Sequence, residues 1–309
     1  MTNGLDRRTV MTGVAATAIS GNAMAATPSL RFLGLGDWGR NGEFHQREVG
    51  QAMEQAAAAL DSQFVMVVGD NFYPDGVKSA QDPQWKTSFE DVYTGPHLQR
   101  PWLVALGNHD YHTEPQAQLD YARLSPRWRL PARYYKVAGS SFGLAEADLF
   151  CIDTSPLLDE YTGRIKAHTG DAVDPLDRAV QLAWLDRELA ASTAPWKIVW
   201  GHHTIRSGGS THGDTPEMVA HVLPVLQKHG VQAYVCGHDH DLQHIRRDGL
   251  DYILTGAGSQ VRPVKAVEGT QFCQSVSGFT TFELTAQTLT VDFRDFTNAT
   301  LHTSVIRRA

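Results

Sequence analysis

Six short apolar runs recur along this chain: LRFLGL (30–35), QFVMVV (63–68), PWLVAL (101–106), LFCI (149–152), WKIVW (196–200) and VQAYVC (231–236). Continuous apolar runs of this length, bounded by turn formers, predict strands buried on both faces. Helical periodicity lies between them, over residues 43–60, 176–192 and 215–230. The last has Thr215 placed as an N-cap, Pro216 at the first helical position and Gly230 as a stop. Strands alternating with helices predict an α/β fold with much parallel pairing. The tail SGFTTFELTAQTLTVDFRDFTNATLHTSVIRR instead alternates at period two, which predicts antiparallel strands closing a sheet and makes the fold mixed. No repeat, low-complexity tract or linker interrupts the pattern, so residues 26–309 are expected to form one domain.

Five of the apolar runs end alike. They are followed by GDWG, GDNFY, GNHD, GHH and GHDH, so a glycine is followed each time by Asp, Asn or His. Ligands of open α/β sheets bind outside the carboxyl ends of the strands. Taken singly, these residues have bland explanations: Asp37 as a turn former, Asn108 in an Asx-turn, His238 and His240 in a polar loop. Their shared topological position instead predicts one convergent metal-binding cluster. Its donors are Asp, Asn, His and Tyr with no Cys, a set suited to hard or borderline ions. There are enough of them for two ions that share a carboxylate. Tyr73, three residues after Asp70, is the informative member, because a phenolate is a hard anionic donor that favours a trivalent ion such as Fe³⁺.

Charge and composition narrow the partners. The net charge of −7 offers no broad basic surface, so no nucleic-acid partner is expected and small molecules are. Three cysteines do not describe a disulfide framework, and Cys151 and Cys236, inside apolar runs, are expected to be buried thiols. In residues 1–25, Arg7 and Arg8 precede an uncharged alanine-rich stretch and an Ala23-Met24-Ala25 cleavage pattern. This is the layout of a twin-arginine export signal. It is too weakly apolar to span a membrane, so no stable membrane insertion is expected. The expected product is a monomer, periplasmic or secreted, exported folded by the twin-arginine machinery with its metals already loaded.

GDWG, GDNFY, GNHD, VWGH and GHDHDLQ together resemble the five-part motif of the purple acid phosphatases, within the calcineurin-like metallophosphoesterases. SPRWRLPARYY, ILTGAGS and FTTFELTAQTLTV resemble stretches of the small, mammalian-type tartrate-resistant acid phosphatases. The resemblance implies a four-layer α/β/β/α sandwich of two mixed sheets with flanking helices. It implies that Asp37, Asp70, Tyr73 and His240 bind Fe³⁺, and that Asp70 bridges to Fe²⁺, Zn²⁺ or Mn²⁺ held by Asn108, His202 and His238. It further implies hydrolysis of small phosphate monoesters in acid by a metal-bound hydroxide. His109 matches the family's catalytic histidine, and His212 matches a second one that helps hold substrate or protonate the leaving group. Asp110 is expected to orient His109, while His112, His203 and His244 tune the surroundings or face solvent.

The chain departs from that family in two places. Residues 154–177 lack the cysteine of the mammalian access loop, and His203 stands where an aromatic residue is common, so substrate preference does not carry over. Two rival readings lose support on particular residues. A phosphodiesterase of the wider group would have a histidine where Gly39 stands and no Tyr73. An exported iron holder would have no need of His109 and His212.

Overall fold

A computed structural model of the protein describes residue 1, residues 27–161 and residues 175–308. The expected export signal and residues 162–174 of the expected access loop lie outside the described residues, apart from Met1. The chain first lays down β1 (Ser29–Leu35), β2 (Phe64–Val68), β3 (Trp102–Ala105) and β4 (Trp128–Arg129), all parallel. It then crosses to a second sheet: β5 (Tyr135–Ala138), β6 (Ala147–Cys151), β7 (Trp196–Trp200), β8 (Ala233–Cys236), β9 (Leu242–Arg247), β10 (Leu250–Thr255) and β11 (Thr270–Gln274). Finally β12 (Gly278–Thr285), β13 (Thr288–Asp295) and β14 (Thr300–Arg307) return to the first sheet as an antiparallel meander. Strand orders are 14-13-12-1-2-3-4 and 11-9-10-8-7-6-5.

The apolar pattern explains the layering. Every residue of β2 is buried, as its unbroken FVMVV requires, whereas β13 buries Leu289, Val291 and Phe293 and leaves alternate positions partly open. The inner faces of the two sheets share one core. Phe32 of β1 stacks between Phe64 and Phe282 at 4.7 and 4.6 Å, and Ile198 and Trp200 of β7 join the same core. Outside, α1 (Gln46–Leu60) packs near β1 and β12, and the short α2 (Gln116–Tyr121) follows β3. On the far side, α3 (Pro175–Ala191) and α4 (Leu223–Lys228) cover the outer face of the second sheet through Leu185, Leu189 and Leu226 against Val199 and Tyr234. The result is a four-layer α/β/β/α sandwich. Among the described residues no helix is long and apolar enough to cross a membrane.

Local chemistry shifts some boundaries. The helix expected from residue 43 begins at Gln46, because Phe44 and His45 are left-handed (φ 53° and 65°). The buried Gln46 side chain accepts the N–H groups of Arg40 and Gly42 at 3.0 and 2.7 Å, and so folds a tight turn ahead of the helix. In the 215–230 helix, Thr215 accepts the first helical N–H, from Val219, at 3.1 Å. Its hydroxyl pairs with Thr204 instead of capping. Met218–Val222 then widens into a π turn just before Pro224, which lacks the N–H needed to continue the α ladder.

Candidate metal centre

The ends of β1, β2 and β3 in one sheet and of β7 and β8 in the other meet at one place. Three of the arriving residues, Asp37, Asp70 and His238, have left-handed backbones (φ 58°, 49° and 70°). Such conformations cost non-glycine residues of order 1–3 kcal/mol each and persist where surrounding structure enforces them. Glycine makes the approach feasible. A Cβ at Gly237 would stand 2.3 Å from Asp37 Oδ2, so only its absence lets the second sheet's loop reach the first sheet's carboxylate. The His238 N–H donates to that same oxygen at 3.1 Å.

The donors form two touching groups. In the first, Tyr73 Oη lies 3.0 Å from Asp37 Oδ1, 2.8 Å from Asp70 Oδ2 and 3.1 Å from His240 Nε2. In the second, His202 Nε2 lies 3.0 Å from Asn108 Oδ1, 3.2 Å from His238 Nδ1 and 3.4 Å from Asp70 Oδ2. Asp70 belongs to both. The remaining ring nitrogens fix the tautomers: His202 Nδ1 donates to the Val68 carbonyl at 3.0 Å and His240 Nδ1 to the Gln260 carbonyl at 2.8 Å. That leaves His240 Nε2 as a lone pair facing inward, and turns His202 Nε2 toward the Asp70 carboxylate as the atom that takes up or gives up a proton.

Charge balance shows what these donors fit. Burial pushes Asp37 well above the usual carboxylate range, reinforced by the Asp70 charge. Burial likewise drives the Tyr73 phenol well above its ordinary value, with both carboxylates adding to the shift. Burial opposes ionisation of Asp70 too, but His202, His109 and His238 around it hold it well below the usual range. Burial also opposes a charge on His202, and the Asp70 carboxylate overrides it, lifting His202 to about 9. His240 falls to about 3 through burial and the nearby Arg262 and Arg40. The protein thus balances these buried anions with protons, beside neutral histidines with free lone pairs. Multivalent cations would replace those protons, and the oxygen-rich donor set fits two hard or borderline ions.

His203 also brings a ring nitrogen within 4.8 Å of those of His202 and His238. Its Nδ1 meets Thr154 Oγ1 at 2.7 Å and its Nε2 meets Tyr161 Oη at 3.3 Å, so both nitrogens are engaged and it buttresses the site. His109 sits on a 3₁₀ turn, His109–His112, at the mouth. Its Nδ1 donates to the Pro74 carbonyl at 2.5 Å, its ring lies 4.5 Å from that of Tyr73, and its Nε2 faces Asp70 Oδ2 at 3.9 Å. Asp110 does not orient it, contrary to expectation. The Asp110 carboxylate points inward and accepts the N–H of Gly107 at 2.8 Å and of Asn71 at 3.1 Å, tying the second and third strand ends together. His112 faces Asp75 at 3.4 Å. His244 neither faces solvent nor tunes the centre: it is buried between Ser304 Oγ at 2.6 Å and Asp251 Oδ1 at 2.7 Å.

His212 does reach the cluster, its ring stacked 3.9 Å from that of His238. Three supporting residues escaped the sequence reading. Asp239, between the two histidines of GHDH, turns away and accepts Ser207 Oγ–H at 2.5 Å, His212 N–H at 3.2 Å and Gly213 N–H at 3.1 Å, so it holds the His212 loop. Arg262 donates from Nη1 to His212 Nε2 at 2.9 Å. Arg40 lies 3.6 Å over the Tyr73 ring and donates to Ser259, which donates to the Asp37 carbonyl.

Two seven-stranded sheets with paired donor groups at their strand ends are the layout of a metallophosphoesterase, and the model for the calcineurin-like phosphoesterases matches residues 30–242, which contain all seven donors. The chain is 33% identical to human tartrate-resistant acid phosphatase type 5 over 99% of each protein. It is 42% identical to purple acid phosphatase 7 of Arabidopsis thaliana over 74% of this chain and 70% of that one. Within the calcineurin-like class, the chain belongs to the purple acid phosphatases. Among solved structures, Plasmodium GAP50, described as the anchor in the inner membrane complex, superposes with a TM-score of 0.79 at 26% identity, over 91% of this chain and 90% of its own. A purple acid phosphatase from yellow lupin seeds shares the fold, with a TM-score of 0.67 at 13% identity; the match covers 91% of this chain and 54% of that longer one.

Proposed function

We propose that this dinuclear metallohydrolase hydrolyses small phosphate monoesters in acid. In this reading Asp37, Asp70, Tyr73 and His240 hold Fe³⁺, and Asp70, Asn108, His202 and His238 hold Fe²⁺, Zn²⁺ or Mn²⁺. The observation that carries it is the Tyr73 hydroxyl, placed within 3.1 Å of Asp37, Asp70 and His240. When bound, such a pair of ions supplies Lewis acidity, lowering the pKa of a coordinated water and neutralising phosphoryl oxygens. The protein supplies the rest. His109, whose Nδ1 proton is held by the Pro74 carbonyl, carries a second proton at Nε2 in acid, as the imidazolium, for the leaving oxygen. His212 lines the approach and orients the ester. Residues 1–25 serve as the twin-arginine signal and residues 26–309 as the catalytic domain, which acts as a periplasmic or secreted monomer.

The test is turnover of an aryl phosphate monoester beside the matching diester, from pH 4 to 8, by protein supplied with iron and a divalent metal. Monoester turnover peaking in acid supports the proposal. A preference for the diester near neutral pH would move the protein among the phosphodiesterases, and metal-loaded protein that cleaves neither would be a metal holder. Tyr73→Phe is expected to abolish visible phenolate-to-iron absorption and to retain part of the activity, because three donors of that group remain. Absorption spectra of parent and variant check this, and a variant with the parent's colour would remove Tyr73 from the iron.

A further inference from the structure

Two guanidinium groups flank the candidate centre, and neither forms an ion pair with a carboxylate among the described residues. Arg206, in the same half of the molecule, instead pairs with both Asp214 and Asp248. Arg40 is spent on the Tyr73 face and on Ser259. Arg262 is placed differently. Among the described residues its side chain meets only His212 Nε2, at 2.9 Å, and it is half-buried. His212 in turn stacks on His238, so one imidazole separates this cation from the donor cluster.

The backbone under Arg262 is fixed from both sides. Its N–H donates to the His240 carbonyl at 2.9 Å, which ties it to a donor loop. An isolated antiparallel bridge between Gly209 and Val264, with Lys265 N–H on the Gly208 carbonyl at 3.0 Å, ties it to the loop that carries His212. A rigidly mounted, incompletely neutralised guanidinium is suited to charge-assisted, bidentate bonding of a phosphate or carboxylate. The net charge of the chain is −7, so this local cation is not part of a general basic surface.

We propose that Arg262 is a specificity-determining residue that binds a second anionic group of the substrate, next to the phosphate that reacts, and so favours diphosphates over simple monoesters. The inference rests on the phosphatase reading above. With inorganic pyrophosphate the step balances without a co-reactant. Water adds to one phosphorus, the P–O bond to the bridging oxygen breaks, and the second phosphate, held by Arg262, leaves with the proton. His212, whose Nε2 accepts from Arg262, moves with this contact as a positioning residue.

The experiment is isothermal calorimetry of orthophosphate and pyrophosphate binding to the metal-loaded protein and to Arg262→Gln and Arg262→Lys, alongside kcat/KM for pyrophosphate and phenyl phosphate. A charge-assisted hydrogen bond is worth about tenfold or more in affinity. In Arg262→Gln the ratio of pyrophosphate to orthophosphate affinity is therefore expected to fall about tenfold or more, with the kcat/KM ratio following. Arg262→Lys is expected to fall between the parent and Arg262→Gln. Equal weakening of both ligands, or no weakening of either, would overturn the proposal and leave Arg262 as a support for His212. A parent protein that binds orthophosphate and cleaves phenyl phosphate keeps the phosphatase reading in either case. A parent that does neither would overturn that reading and this inference with it.

Discussion

Asp70→Asn is expected to lower the metal content of both halves of the centre and to reduce monoester turnover by more than about 100-fold. Even residues that only support a metal ligand cost about 10–100-fold in affinity or activity when replaced. Asp70 is a shared donor, with Oδ2 2.8 Å from the Tyr73 hydroxyl and 3.4 Å from His202 Nε2. Its other oxygen accepts the His109 backbone N–H at 2.9 Å, so the same carboxylate also seats the residue proposed as proton donor. Asparagine keeps the volume and removes the charge, which separates loss of metal from loss of fold. Metal analysis beside circular dichroism makes the check. A folded variant that holds two metals and turns over normally would exclude Asp70 from the centre.

His109→Ala is expected to keep both metals and lose about 10²–10⁴-fold in kcat, the range for removing a general acid. The backbone N–H that meets Asp70 survives this substitution, and the His109 side chain is 26% exposed, so water can reach the abandoned Pro74 carbonyl. The pH dependence has a definite sign. A proton donor must be protonated, so activity falls as pH rises through its pKa, and burial holds that of His109 below the usual value. The alkaline limb of kcat/KM therefore belongs below the ordinary histidine range of about 6.5, which gives an acid optimum. That limb is expected to flatten in His109→Ala. A profile of unchanged shape with metals retained would assign the proton to another group.

The strand ends were legible because two independent signals coincide there: an unbroken apolar run and a glycine before a polar donor. The β9–β10 hairpin lacked the first signal. LQHIRR mixes polar and apolar residues, although Asp248-Gly249, both left-handed (φ 58° and 81°), is a hairpin turn that the dipeptide itself advertises. Asp110 was misread because adjacency in sequence was taken for adjacency of side chains. On a 3₁₀ turn, with about three residues per turn, neighbours point in different directions, and Asp110 faces the strand ends while His109 faces the mouth. Asp239 was hidden inside a histidine motif that explained itself without it. Arg262 meets His212 across 50 residues of chain, a pairing that no local pattern encodes.

The donors divide between the two sheets. Asp37, Asp70, Tyr73 and Asn108 come from the first, and His202, His238 and His240 from the second. Asp37 and His238 touch across 201 residues of sequence. Each proposed ion would therefore ligate both halves of the sandwich and act as a rivet through the seam between them. An ion that binds only the closed seam stabilises the folded chain by mass action, in proportion to the logarithm of its free concentration over its Kd. Cofactor supply then sets how long the molecule lasts as well as how fast it works, and a chelator strong enough to silence it would also loosen the join between its sheets.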